Sequence, residues 1–215
     1  MKRLLIILGV ILAVLVAANF AARALAERTV SRELATTLSL SGNPSVSLGG
    51  EPFLWHAATG NIPSATIDGT DLSAGGVTFD RVHATLTDVT FPPFAVVAGH
   101  RAVIRAASGQ GTATMDEAAV AALLKDRGVN LPVRLQGGRV LVTLPIVGEI
   151  PVVPTLEGNR LELRPDVSLP ESITPSLSFE LPAVMDGVRY TGVVVRDGTA
   201  VISFRLDRPS FVVNG

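Results

Sequence analysis

The first 26 residues constrain this chain most: Lys2 and Arg3 precede an uncharged apolar run from Leu4 to Ala18, and Asn19 is the only polar side chain between Leu4 and Ala22. At about 1.5 Å per helical residue such a run approaches the roughly 30 Å of a bilayer's hydrocarbon layer. It reads as an export signal that places the rest of the chain outside the cytoplasm. Two fates are open to it. Residues 4–22 suit an anchor, whereas Ala24-Leu25-Ala26 has the small-x-small form that signal peptidase cleaves. Lys2 and Arg3 are expected on the cytoplasmic side, although Arg23, Arg28 and Arg32 on the far flank weaken the charge asymmetry. No second apolar span follows, so one extracytoplasmic domain is expected over residues 27–215.

Composition matters once this leader is set aside. Of the 18 Lys and Arg residues, Lys2, Arg3 and Arg23 lie in the leader, which holds none of the 19 Asp and Glu residues. The remainder is net acidic, which argues against nucleic acid as a partner, because binding a phosphate backbone needs a basic surface. The remainder is ordinary in apolar content but short of charge. There is no Cys, hence no disulfide, no thiolate chemistry and no lipid-modified N-terminal cysteine.

Glu27 to Leu38 has helical spacing, with Val30, Leu34 and Leu38 four residues apart, and Ser41-Gly42-Asn43-Pro44 breaks it. Short β patterns dominate from Val46 onward. Three hairpins are legible: Leu131–Gln136 with Arg139–Leu144 around Gly137-Gly138, Ile150–Leu156 with Leu161–Arg164 around Glu157-Gly158-Asn159, and Arg189–Arg196 with Thr199–Leu206 around Asp197-Gly198. Together they predict an antiparallel meander. In the last hairpin Ile202, Phe204 and Leu206 alternate with Val201, Ser203 and Arg205, so one face is meant to be buried. One helix interrupts the strands, with Thr114-Met115-Asp116-Glu117 as a capping box, Gly128 as its stop, and Val120, Leu123 and Leu124 as an apolar stripe.

Groups for catalysis are sparse. His56, His83 and His100 fit no metal-ligand spacing, and no nucleophile elbow or phosphate-binding loop occurs. Ser108-Gly109-Gln110-Gly111 reads as a turn, and Asp68, Asp71, Asp80 and Asp88 as turn supports at strand ends rather than calcium ligands. The chain is therefore expected to be no enzyme and to need no metal or cofactor.

One segment is less ordinary. Gly49-Gly50-Glu51-Pro52-Phe53-Leu54, with a further glycine at Gly60, resembles the signature of the LmeA-like phospholipid-binding proteins of the actinobacterial cell envelope. The leader, the second Gly-Gly at 75–76 with a strand over Leu86–Val89, and the hairpin on Asp197-Gly198 extend the resemblance over residues 30–206. It implies an elongated α+β fold in which a curved antiparallel sheet wraps one or two helices and leaves an apolar groove for acyl chains. It also implies a part in envelope lipid or lipoglycan maintenance, with a phospholipid or a phosphatidylinositol-type glycolipid as partner. The expected location is the outer face of the cell membrane, or the periplasm after cleavage near Ala26.

Exposing two chains of roughly 16 carbons would cost about 25 kcal/mol at 0.8 kcal/mol per CH₂, so a carrier needs a continuous apolar lining. Candidates for it are Phe53, Leu54, Trp55, Phe91, Phe94, Val120, Leu123, Leu124 and Phe179. Arg81, Arg101, Arg105 and Arg134 are candidates for pairing with a phosphate. The competing readings are an anchored β-domain that docks to envelope partners through strand edges, and a hydrolase whose polar groups only the fold would assemble.

Overall fold

The computed structural model describes residues 2–37, 44–74, 77–126, 130–144, 148–166, 177–181 and 187–213. The leader and the helical pattern behind it form one unbroken helix, α1 (Lys2–Thr37). The described side chains from Val10 to Ala18 are exposed, and burial begins at Asn19. Beyond it Ala22, Ala26, Val30 and Leu34, spaced by four, make the stripe that packs on the sheet behind.

After α1 come β1 (Ser45–Leu48), α2 (Phe53–Thr59), the long hairpin β2 (Asn61–Ala74) and β3 (Val77–Thr90), the short α3 (Pro93–Val97), β4 (Ala102–Asp116) and α4 (Glu117–Asp126). Then β5 (Val133–Gln136), β6 (Arg139–Leu144), β7 (Gly148–Glu157), β8 (Arg160–Pro165) and β9 (Leu177–Glu180) follow in sequence. The chain closes with β10 (Val188–Arg196), β11 (Thr199–Asp207) and β12 (Ser210–Val213). Among the described residues the fold is α+β, with two antiparallel sheets and no closed barrel. The larger has the order β1-β2-β3-β4-β11-β10, and β12 continues past β11 along β4; the smaller has the order β5-β6-β7-β8-β9.

The three hairpins form at the expected turns, with Val133 opposite Val142, Glu157 opposite Arg160 and Arg196 opposite Thr199. They do not make one meander. The first two build the smaller sheet, whereas β11 pairs along β4 from Thr199–Asp116 to Asp207–Ser108 and so joins the larger. Ser108-Gly109-Gln110-Gly111 is not a turn but the middle of β4. Gly109 is there because a Cβ would sit 2.7 Å from Leu86 and 2.9 Å from Leu206, the large side chains that cover it. Nor do the aspartates mark strand ends: Asp68 and Asp71 lie within β2 and Asp80 and Asp88 within β3, with Asp71 and Asp88 at left-handed φ of 53° and 51°, where a ladder pair is missed while the register runs on unchanged.

Helix α4 starts later than the capping box predicts. Thr114 stays in the ladder opposite Val201, and the Asp116 carboxylate caps the helix by accepting the Ala119 N–H at 2.7 Å. Glu117, freed from the box, accepts the Leu135 N–H at 2.7 Å and ties the start of α4 to β5. Gly128 and Ser41-Gly42-Asn43 lie outside the described residues.

Candidate functional site

Two features stand out, one at each end of the larger sheet. The first is an apolar seam where the smaller sheet packs over β10 and β11, with α4 between. Val120, Leu123 and Leu124 from α4 meet Met115 at the end of β4, Val140, Pro154, Leu161 and Leu163 from the smaller sheet, and Val193, Val195, Ala200 and Ile202 from β10 and β11. Around a cavity of about 40 Å³ every one of these side chains is apolar. Hydrogen bonds pin one edge of the seam: the Gly198 N–H donates to the Leu135 carbonyl and the Gly137 N–H to the Asp197 carboxylate, each at 2.8 Å. The volume is far below the roughly 300 Å³ at which ligand pockets begin.

The second feature explains the Gly-Gly-Glu-Pro-Phe-Leu segment. Pro52 stands at the N-cap of α2 and has no side-chain oxygen to offer its amides. Asn19, 35 residues away on α1, supplies one: its Oδ1 accepts the Leu54 N–H at 3.0 Å while its amide donates to Glu51 at 2.9 Å. Arg23 donates to Glu51 at 2.9 Å and to Glu27 at 2.9 Å, and Glu27 in turn accepts the Leu48 N–H. The Asn19 hydrogen bond, with help from Arg23 and the Phe53 amide, holds the Glu51 carboxyl below its ordinary value. Gly60 closes α2 at a left-handed φ of 70°. A side chain there would overlap the Phe91 carbonyl and Pro93, and the Phe91 N–H donates to Gly60 at 2.9 Å, so α2 and α3 are held together.

The expected lining residues divide between these features. Val120, Leu123 and Leu124 line the seam. Phe53 is buried in the core beneath α1, with Phe91 half-buried against it. Leu54, Trp55 and Phe94 are exposed at the α2–α3 end. Phe179 pairs with Leu161 in β9, and its side chain lies outside the described part. The rest of the seam lining escaped sequence reasoning. Ile202 was legible as a buried position, but alternation cannot say which layer covers it.

Arg101 and Arg105 are exposed at the α3 end of the sheet, since Arg105 lies opposite Thr90; Arg81 is exposed toward the other end, opposite Thr114. Arg134 sits 3.7 Å from Glu149. None of these guanidiniums lines the seam. His83 pairs with Asp68 at 2.6 Å on an exposed strand surface, and the His56 Nδ1 lies 3.0 Å from the Asn61 carbonyl, so the two are engaged separately. Asp80 has its carboxyl raised, first by burial and then by Asp116 and Asp71.

Compared with known proteins, residues 17–215 match the family model described as LmeA-like phospholipid-binding. No curated protein and no solved structure matches the chain.

Proposed function

Because the chain belongs to the LmeA-like phospholipid-binding family, we propose that it takes a phospholipid acyl chain into the seam between its two sheets while held by α1 at the outer face of the cytoplasmic membrane. The lipid is then transferred or presented for envelope lipid or lipoglycan maintenance. The role is binding, not catalysis. The observation that carries this reading is the seam itself: twelve apolar side chains from three layers converge on one cavity, with no polar group among them. Each CH₂ buried there recovers about 0.8 kcal/mol relative to water. A lipid therefore favours a seam wider than this cavity of about 40 Å³, by binding the open arrangement better than the closed one.

The junction supports retention of α1. Cleavage after Ala26 would remove Asn19 and Arg23, leaving Glu51 and the Leu54 N–H without those partners. Cleavage would also strip Ala22 and Ala26 from the core. Helix α1 is long and apolar enough to cross a membrane, and the Lys2-Arg3 end suits the cytoplasmic side.

The test is photolabelling of the full chain in vesicles containing a phospholipid with a diazirine on its acyl chain. Label in peptides bearing Val120–Leu124 and Val193–Ile202 is expected. Label confined to α1, α2 and α3, with none in the seam peptides, would contradict the assignment. The small cavity also supports a second reading, an anchored β-domain with a filled core that docks to envelope partners by its strand edges; that reading predicts no label in the seam peptides.

A further inference from the structure

At the end of the larger sheet away from the seam, Leu54 and Trp55 on α2 and Phe94 and Val96 on α3 are all exposed, Trp55 at 67% and Phe94 at 89%. Large apolar side chains clustered this way on a soluble surface call for a partner. We infer that this α2–α3 face is seated in the outer leaflet of the membrane, with the bilayer interface as its occupant. The inference rests on the reading of α1 as a retained anchor and adds a second, independent contact with lipid.

The position of the face argues for that occupant. Asn19 marks the point where α1 passes from fully exposed to docked, and it is bonded directly to Leu54, the residue before Trp55. From Lys2 to Asn19 the helix rises about 26 Å at 1.5 Å per residue, close to the roughly 30 Å of hydrocarbon it has to cross. The junction therefore sets α2 at the level where α1 leaves the bilayer. The Gly60–Phe91 bond sets α3 beside it. The exposed apolar surface of α1, from Val10 to Phe20, thus meets that of α2 and α3 at the junction of Asn19, Arg23 and Glu51, whose polar groups are bonded to one another.

Chemistry and charge agree with position. Trp is the residue most at home at the boundary between acyl chains and headgroups. Arg101 ends the connection that follows α3 from Ala98, and Arg105 begins the pairing of β4 with β3, both exposed, so cationic side chains lie near the apolar ones. Glu51, the nearest acid in sequence, is occupied by Asn19 and Arg23; Asp88 and Asp207 also lie toward this end of the sheet, and Asp207 is paired with Arg189 at 2.8 Å. Anionic headgroups suit such a rim.

Trp55 is the only tryptophan in the chain, so its fluorescence reports this face alone. The full chain is reconstituted into phosphatidylcholine–phosphatidylglycerol vesicles, with and without lipids brominated at shallow acyl positions, and its resistance to alkaline extraction is measured on the same vesicles. The inference predicts blue-shifted emission that brominated lipid roughly halves, as expected for an indole at the interface, and poor quenching by aqueous iodide. A chain that resists extraction but whose Trp55 stays red-shifted, unquenched by bromine and open to iodide overturns the α2–α3 seating and leaves the anchor standing. A chain that alkali extracts overturns both.

Discussion

Asn19 on α1 accepts the backbone N–H of Leu54 on α2 at 3.0 Å, which makes a residue of the apolar leader the cap of a helix in the folded domain. This bond joins the two halves of the chain. Replacing Asn19 with Ala leaves a part-buried helix-end donor without this partner and frees Glu51 from its first partner. The expected cost is about 1–2 kcal/mol, or a Tm lower by roughly 2–8 °C, read by thermal unfolding of the full chain in detergent.

The Glu51 carboxyl is held below its ordinary value of 4.5 by the Asn19 amide first, and also by Arg23 and the Phe53 N–H. A depressed carboxyl stabilises the fold above its ordinary value and loses that contribution as pH falls through the folded value. The Tm of wild type should therefore drop as pH is lowered from about 4.5, and that of Glu51→Gln should drop less, so the two converge in acid. Parallel curves would remove Glu51 from the junction.

Gly60 combines a left-handed φ of 70° with close approach to Phe91. Gly60→Ala should destabilise the fold by roughly 1–3 kcal/mol through backbone strain and displacement of Phe91. Gly158→Ala, at a φ of 62° with open space around it, should cost less. Chemical denaturation of both variants gives the comparison.

Leu124 is almost fully buried and belongs to the seam. Leu124→Ala should lose about 2–5 kcal/mol. Added phospholipid should restore part of that loss, since a ligand bound only by the native state raises its stability by RT ln(1 + [L]/Kd). The same truncation at Leu86, buried in the α1 core and not in the seam, should be as costly and regain no more than wild type does.

The hairpins were legible because Gly137-Gly138, Gly158-Asn159 and Asp197-Gly198 are local turn chemistry flanked by apolar residues. The family was legible because Gly50 and Gly60 are fixed by their backbone conformation, and so keep a recognisable spacing. What escaped depends on distant partners. Gly109 and Gly111 look like a turn until Leu86, Leu206 and Phe204 are placed against them. Thr114 looks like a cap until β11 claims it. Phe53, Trp55 and Leu124 are equally apolar in sequence, yet one fills the core, one faces out and one lines the seam. Helix α2 itself was hidden because its cap comes from Asn19 and not from the residue before it.

The most direct test of lipid binding in the seam is native mass spectrometry of the full chain released from membranes, wild type beside Ala200→Phe, which fills the cavity at a buried β11 position. Wild type is expected to carry phospholipid, and Ala200→Phe to be folded but largely without it. Wild type recovered empty, with no phospholipid taken up from vesicles, would contradict it.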